Sequence, residues 1–214
     1  MLLDVGANYG EWAQGMVRLF PATQKIVLFE PQEECLAQLR RLDLPGKLII
    51  PGAVGDRPGT SSFYVGTEGW AGASFYERTE TFFSEMRQRQ IEVRVRTLDE
   101  VIEREGIEFI DFAKFDIEGA ELEALRGASR AFSRGAIGAI SVEFGSGNMN
   151  SRTYFRDLWG FLTGYGFEIY RVLPGGRRLR IRQYYEDLEH FRGVSNYIAQ
   201  RAVVDTSHCH LASG

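Results

Sequence analysis

The first residues with clear chemical potential form a short turn, DVGANYG, which runs from Asp4 to Gly10. An apolar run precedes this turn and a helical pattern follows it. A loop between a strand and a helix often binds a nucleotide-like ligand, because backbone N–H groups at the helix start face the ligand. Its glycine spacing, however, is not the G-x-G-x-x-G of a pyrophosphate site. The turn therefore predicts a nucleotide-like ligand without a pyrophosphate, and Asp4 favours one that carries positive charge.

A second acid, Glu30, ends the next apolar run and lies 20 residues after Gly10. At this spacing in an α/β fold, a carboxylate binds the hydroxyls of a ribose. A ligand that combines a ribose with an amino group and has no pyrophosphate indicates S-adenosylmethionine. The alternative interpretation is that Asp4 and Glu30 only cap helices.

A third stretch, FAKFDIEGAELEALRGA, places Asp116, Glu118 and Glu121 at and just after the end of an apolar run. Three acids so close together are costly to bury without partners, so the pattern favours a functional use or a bound cation. Lys114 has the same strand parity as Asp116, and we interpret it as the structural ion-pair partner of a neighbouring acid. Glu143 ends a later apolar run and is a further candidate, with a helix or loop cap as its alternative role.

The segments that must position these residues alternate between short apolar runs and helical patterns. Predicted strands lie at Met1–Val5, Ile26–Phe29, Leu48–Ile50 continuing towards Val54, Ser61–Val65, Ile91–Arg96, Phe109–Phe115, Ala136–Phe144, Phe167–Leu173, Leu179–Tyr184 and Asn196–Arg201. Predicted helices follow most of them, including one helix that carries Leu122, Leu125, Ala128 and Phe132. Strands separated by helices imply parallel crossovers, whereas the closing strands have short links. The pattern predicts an α/β fold with a mostly parallel sheet and antiparallel strands added at the C-terminal end.

The same pattern predicts one domain, residues 1–204, followed by a disordered tail at 205–214. An insert at 56–96 would add extra strands around an aromatic loop. Its aromatic residues suit stacking on a sugar ring or covering an apolar acceptor, or else form a small core; they are Trp70, Phe75, Tyr76, Phe82 and Phe83.

Composition narrows the classes of partner. The 214 residues carry a net charge of −4, so the chain lacks the basic excess of a nucleic-acid binder. Cys35 and Cys209 are far apart and form no disulfide framework or metal pattern. No apolar run is long enough to cross a membrane, and the first residues do not resemble a signal peptide. We expect a cytoplasmic protein without membrane or nucleic-acid partners.

Five segments in order resemble the FkbM-type methyltransferases: DVGANYG, FEPQEECLAQL, TLDEV, KFDIEGAELEALRGA and SVEF. The resemblance implies a Rossmann-like class I methyltransferase fold, S-adenosylmethionine as methyl donor, and usually O-methylation of a hydroxyl on a sugar or another natural product. The family commonly carries a helical segment ahead of the first strand, whereas this sequence begins in that strand. From the resemblance to this family, the acceptor is expected to be a small molecule or a saccharide.

The resemblance also implies roles for individual residues. The donor's methionine part is expected at Asp4, Gly6, Ala7, Asn8 and Gly10, its ribose at Glu30, and its adenine at Pro31 and Val54, with Asp116 near the methyl group.

Methyl transfer to a hydroxyl benefits from a base, because a free hydroxyl is a very weak acid. Two of the three histidines fall in the tail, and His190 fits a surface position. Asp116, Glu118 and Glu143 are therefore the candidate catalytic residues, although Asp116 could instead orient the donor or acceptor. No metal is predicted, because no third ligand accompanies Asp116 and Glu118 at a recognisable spacing.

Two other functions remain open at this point. A nicotinamide-dependent oxidoreductase would share the fold and Glu30, but the sequence lacks its glycine fingerprint. A non-catalytic module that retains the S-adenosylmethionine pocket would share all of the donor-binding residues.

Overall fold

The protein is described by a computed structural model that covers residues 1–66, 72–79, 87–191 and 193–202. The strands are β1 (Leu2–Val5), β2 (Ile26–Glu30), β3 (Lys47–Pro51), β4 (Ala53–Val54), β5 (Gly59–Val65), β6 (Arg89–Arg96), β7 (Ile110–Phe115), β8 (Ile137–Gly145), β9 (Phe167–Val172), β10 (Arg178–Ile181) and β11 (Val194–Arg201). The α-helices are α1 (Glu11–Leu19), α2 (Glu33–Arg41), α3 (Leu98–Arg104), α4 (Glu121–Arg126), α5 (Ser129–Ser133), α6 (Gly147–Ser151) and α7 (Phe155–Gly164).

The main sheet of the described residues has the strand order β10-β9-β11-β8-β7-β1-β2-β3. Strands β8, β7, β1, β2 and β3 are parallel to one another. Strand β11 is antiparallel to both β8 and β9, and β10 is antiparallel to β9. The predicted α/β fold, with a mostly parallel sheet and antiparallel strands at the C-terminal end, is confirmed. The chain runs outward from β1 to β3 and then returns to β7, so the strand order reverses between β1 and β7.

Helices cover both faces of the sheet around β1. On one face, α3, α4, α5 and α7 pack on side chains that include Val5, Phe115 and Val142. On the other face, α1 and α2 pack on Leu2 and Leu28. Strands β1 and β2 are buried along their whole length, which explains why their residues, apart from Asp4 and Glu30, are apolar without alternation.

A smaller sheet with the order β4-β6-β5 lies beside the main one. The prediction that the third strand continues to Val54 was wrong, because β3 ends at Pro51 and β4 pairs with β6 instead. Phe75 contacts the ring of Phe63 edge-on, with ring centroids 5.5 Å apart, so it belongs to the core of this small sheet. The hydroxyl of Tyr76 donates to Glu123 Oε1 at 2.6 Å. The remaining predicted loop aromatics, Trp70, Phe82 and Phe83, lie outside the described residues.

The single predicted helix through Leu122 and Phe132 is two helices, α4 and α5. The backbone of Gly127 packs so closely on Gly55 that a Cβ atom would lie 2.1 Å from the Gly55 carbonyl oxygen. Beyond this contact, the carboxylate of Asp99 accepts the backbone N–H groups of Arg130 and Ala131 at 2.9 Å each. A distant residue therefore caps α5, which helical periodicity alone does not indicate.

The predicted tail at 205–214 also lies outside the described residues, and the domain boundary at 204 stays a prediction. Among the helices that the structure describes, none is both long enough and apolar enough to cross a bilayer.

Candidate functional site

The glycine-bounded loop after β1 is fixed against the end of β2. The backbone N–H groups of Gly6 and Ala7 both donate to the carbonyl of Phe29, at 3.1 and 2.9 Å. Gly6 has a φ of +85°, and a Cβ atom at this position would lie 2.1 Å from the carbonyl oxygen of Asp116. Only glycine allows this close approach, so the loop can lie directly against the end of β7.

Glu30 joins the loops that follow β1 and β2. Its Oε2 accepts the backbone N–H of Asn8 at 2.7 Å, and its Oε1 accepts that of Gln32 at 2.9 Å. Burial raises the pKa of this carboxyl, while the two backbone N–H groups act in the opposite direction. Each carboxylate oxygen can accept a second hydrogen bond, so capping the loops leaves Glu30 able to bind hydroxyl groups.

A cavity of about 450 Å³ opens over these loops at the carboxyl ends of β1, β2 and β7. Its walls include six of the predicted cofactor residues: Gly6, Ala7, Asn8, Glu30, Pro31 and Asp116. Tyr9, Trp12, Gln32 and Lys114 also line it, although the sequence did not identify them as binding residues. An adjoining apolar slot shares Pro31 with this cavity and contains Val54.

The remaining two predicted cofactor residues lie behind the cavity wall. Asp4 is fully buried beneath the loop, where its carboxylate faces Lys114. Gly10 begins α1, and a Cβ atom there would lie 2.5 Å from a methyl group of Leu42 and 2.8 Å from one of Leu39. Both residues therefore support the loop from below rather than line the cavity.

Lys114 forms the predicted ion pair with a neighbouring acid, and a second acid lies on its other side. Its ammonium lies 3.5 Å from Asp4 Oδ1 and 3.2 Å from Asp116 Oδ2, and it donates to the carbonyl of Gly6 at 3.2 Å. Burial lowers the pKa of Lys114, but the two carboxylates outweigh burial and raise it overall. Burial raises the pKa of Asp4 to about 7 against the opposing effect of Lys114. Two carboxylates for one ammonium leave this end of the cavity suited to a positively charged group.

The three candidate catalytic residues lie together. Asp116, Glu118 and Glu143 can each offer an oxygen within 4.8 Å of the other two. Because Lys114 pairs with Ser141 in the β7–β8 register, residues two positions further on lie side by side at the strand ends. The sequence shows no third ligand at a recognisable spacing, whereas the fold brings Glu143 beside Asp116 and Glu118. The prediction that no metal binds is a separate matter and stays a prediction.

These carboxylates differ in their partners. Asp116 pairs with Lys114, and Glu118 pairs with the guanidinium of Arg78, whose side chain is 1% exposed. For Glu143 the described residues provide no ion pair. Burial, followed by the charges of the two neighbouring acids, raises the pKa of Glu143 to about 7.

A network of polar contacts fixes the loop that carries Glu118. The buried carboxylate of Glu121 accepts the backbone N–H groups of Ile117 and Gly119, at 3.0 and 3.1 Å, and the side-chain amide of Asn148 at 3.4 Å. Burial is the largest effect on Glu121 and raises its pKa to about 8. The sequence showed Glu121 only as one more acid. Its spacing after Ile117 on a predicted helix start was the signal that could have identified its capping role.

A second set of contacts joins the 72–79 segment to the same loop. The hydroxyl of Ser74 donates to the carbonyl of Glu118 at 2.8 Å, and Arg78 donates to the hydroxyl of Ser146 at 2.9 Å. Arg78 precedes Glu118 by 40 residues in an irregular segment. No periodicity or motif in the sequence indicates this contact.

A groove of about 260 Å³ continues from the cavity across the sheet. It shares Trp12, Lys114 and Asp116 with the cavity, and Glu143 and Asn196 lie further along it. The Trp12 ring stacks near Phe112, with ring centroids 6.1 Å apart. Asp116 therefore lies where the cavity and the groove meet, and Glu118 and Glu143 lie beside it. His190, by contrast, is exposed and faces only Asp187, at 3.9 Å.

Comparison with known proteins identifies relatives of this arrangement. Residues 4–169 match the methyltransferase FkbM domain. The chain is similar to the 2-O-methyltransferase NoeI of Sinorhizobium fredii, with 26% identity over 145 residues, which is 63% of this chain and 59% of that protein. It is also similar to the methyltransferase sdnD of Sordaria araneosa, with 27% identity over 154 residues, which is 59% of each chain. This chain thus spans about 59% of the length of both curated relatives.

A solved structure supports the fold. The crystal structure of the methyltransferase FkbM from Methylobacillus flagellatus KT aligns with a TM-score of 0.56 at 19% sequence identity, covering 92% of this chain and 42% of that one. The family match spans more than half of the chain and contains the glycine loop, Glu30 and all three candidate carboxylates. The chain belongs to the FkbM methyltransferase domain family.

Proposed function

We propose that this chain is an S-adenosylmethionine-dependent O-methyltransferase domain that acts on a hydroxyl of a small molecule or saccharide. The observation that carries the proposal is the cavity at the reversal of the strand order, with the glycine loop and Glu30 in its wall. Ligands of open α/β sheets bind at this place.

The residues present fit the parts of the donor. Pro31 and Val54 provide apolar surface beside the cavity for an adenine ring, and Glu30 at the end of β2 suits the ribose hydroxyls. The loop at Gly6–Asn8 and the acids around Lys114 suit the methionine part, whose sulfonium and ammonium groups are positive. A pyrophosphate would be repelled by the same acids.

When bound, S-adenosylmethionine supplies a methyl group on a positively charged sulfur. The chain's contribution is to orient the acceptor, exclude water and take up a proton. The groove that meets the cavity at Asp116 gives an acceptor access to the methyl position. Trp12 and Phe112 offer aromatic surface for a sugar ring or an apolar acceptor.

O-methylation of a hydroxyl is favoured by the relative NoeI, whose name is 2-O-methyltransferase. The carboxylates where cavity and groove meet also suit proton removal from a hydroxyl. The nicotinamide alternative has no support among the relatives, which are methyltransferases.

A single domain and a cytoplasmic location are further parts of the proposal, and they rest on the composition and element pattern of the sequence.

Thermal unfolding in the presence of ligands tests the donor. S-adenosylhomocysteine at 100 times its dissociation constant should stabilise the protein by about 2.7 kcal/mol, because it binds only the folded state. NAD at the same concentration should give no comparable shift. Stabilisation by NAD alone would refute the methyltransferase assignment. Methyl transfer from labelled donor to a panel of glycosides then distinguishes an enzyme from a non-catalytic module.

A further inference from the structure

The three carboxylates between the cavity and the groove are not equivalent, and their contacts separate them. Asp116 lies 3.2 Å from the Lys114 ammonium, and Glu118 is paired with Arg78. Protonating either acid would give up an ion pair. Protonating Glu143 would give up none among the described residues, and it would relieve repulsion from two neighbouring negative charges.

The backbone strengthens this difference. Glu118 has a φ of +56°, an uncommon conformation for a residue with a side chain, and its loop is fixed by Glu121 and Ser74. These contacts hold the carboxylate of Glu118 in its ion pair with Arg78. Glu143 instead lies on the regular strand β8, half-buried, and its side chain lines the groove.

We propose that Glu143 accepts the proton of a neutral hydroxyl acceptor, and that its two neighbouring carboxylates position the reactants. This inference rests on the proposed function. In the transfer step, the acceptor oxygen forms a bond to the donor's methyl carbon while the carbon–sulfur bond breaks. The electron pair of that bond stays on sulfur, which becomes a neutral thioether, and the hydroxyl proton passes to Glu143.

The charges around Glu143 also select the class of acceptor. The groups that face it are the acids Asp116 and Glu118 and the cations Lys114 and Arg78. Both cations are already paired with carboxylates. These four charges cancel, so the ionised Glu143 leaves a net negative charge that an acceptor with its own carboxylate or phosphate would meet without a free cation in this set. A neutral polyol, such as an uncharged sugar, avoids that repulsion.

The pKa of Glu143, raised to about 7 mainly by burial, suits a base that works near neutral pH. The rate should rise with pH as Glu143 loses its proton and become constant above its pKa. Removal of the carboxylate should remove that rise.

Variants with Gln at position 143, 118 or 108 test the proposal, since each exchanges a carboxylate for an amide of similar shape. Glu108 is exposed and far from the cavity, so Glu108→Gln is the matched control. Calorimetric titration with S-adenosylhomocysteine measures donor binding first. Failure of the wild-type protein to bind S-adenosylhomocysteine would refute the proposed function. If all variants bind it with a dissociation constant within about threefold of the wild-type value, donor binding is intact and the role of Glu143 is tested separately.

Two readouts then decide that role. In methyl transfer to methyl glucoside, Glu143→Gln should lose roughly 100-fold in kcat together with the acid-side rise of the pH profile, while Glu118→Gln keeps that rise. Methyl glucuronide, the anionic counterpart, should be a poorer acceptor. A Glu143→Gln variant with wild-type kcat and pH profile would overturn the inference.

The second readout is independent of turnover. In the S-adenosylhomocysteine complex labelled with ¹³C at glutamate carboxyls, one resonance that is absent from Glu143→Gln should titrate near pH 7. If the Glu143 resonance titrates instead at the ordinary value for glutamate, the inference is wrong whatever the acceptor.

Discussion

Buried and half-buried carboxylates crowd the ends of the central strands, and their different partners give them different roles. Glu30 and Glu121 accept backbone N–H groups and fix loops. Asp4 and Asp116 share the ammonium of Lys114. Glu143 has neither kind of partner among the described residues, so no hydrogen bond or ion pair of this set holds its carboxylate in the charged form.

This difference predicts a pH-dependent effect on stability. The pKa of Glu143 is about 7 in the folded protein, mainly because of burial, against 4.5 for an unperturbed glutamate. A group whose pKa is raised on folding stabilises the fold only while it is protonated, so the wild type loses stability between these two pH values. Glu143→Gln should therefore gain stability relative to wild type from about pH 4.5 to pH 7, reaching about 1–2 kcal/mol after allowance for solvent screening.

Urea unfolding of both proteins at pH 4.5, 6 and 8 measures this gap. Glu108→Gln, on an exposed residue, should show the same stability as wild type at all three pH values. An equal gap between Glu143→Gln and wild type at pH 4.5 and pH 8 would contradict the assignment of the raised pKa.

The carboxylate cluster also yields a prediction about metals. Asp116 and Glu118 are each paired with a basic side chain, so we expect no divalent cation to be needed for methyl transfer. Activity on an identified acceptor should survive EDTA, measured with and without added Mg²⁺. Loss of activity in EDTA and recovery with Mg²⁺ would show that the three carboxylates bind a metal.

At the scale of elements, the site depends on how tightly the loop after β1 lies on the end of β7. Gly6 makes that contact, and a side chain there would overlap the backbone of Asp116. The same loop donates to Phe29 at the end of β2 and lies under the cavity. One glycine thus joins three strand ends.

Substitution of Gly6 tests this role. Gly6→Ala should cost roughly 3 kcal/mol of stability, since it adds both a backbone strain and a steric overlap, and it should abolish binding of S-adenosylhomocysteine. Gly106 has a similarly positive φ of +59° but nothing within 4 Å of an added Cβ atom. Gly106→Ala should therefore cost only about 1 kcal/mol and leave binding unchanged. Equal effects of the two substitutions on binding would show that the contact with β7 is unimportant.

The sequence predicted those parts of the molecule that depend on local pattern. Burial on both faces makes β1 and β2 apolar apart from Asp4 and Glu30, and the local T-x-x-E pattern at Thr97 forms the capping box that begins α3. It could not predict contacts between distant segments. The break between α4 and α5 depends on Gly127 meeting Gly55, and the pairing of Glu118 depends on Arg78.

The candidate site follows the same division. Asp116 and Glu30 were identifiable because each directly follows or ends an apolar strand. The proximity of Glu143 to Asp116 required the β7–β8 register, which is a property of the assembled sheet. Asp4 was predicted to bind the donor, but it lies below the cavity wall, and this depth depends on the packing of Lys114 above it.

At the scale of the whole molecule, the strand order creates the site. Because the chain reverses direction across the sheet between β1 and β7, the loops after these strands diverge and leave a cavity between them. The donor is expected to span the ends of β2, β1 and β7, with Glu30 at one end and Asp116 at the other. In this proposed placement, the contacts at Glu30 would change little during transfer, whereas those near Asp116 would surround the reacting methyl group.

Calorimetric titration of S-adenosylhomocysteine into wild type, Glu30→Ala and Asp116→Asn tests this placement most directly, with circular dichroism to verify that each variant folds. Loss of uniform binding raises the donor KM more than it lowers kcat, and loss of a contact at the reacting group does the opposite. We therefore predict that Glu30→Ala binds S-adenosylhomocysteine at least about tenfold more weakly than wild type, which corresponds to about 1.4 kcal/mol. Asp116→Asn should bind it with nearly wild-type affinity and turn over slowly. Wild-type binding by Glu30→Ala together with loss of binding by Asp116→Asn would contradict the placement of the donor.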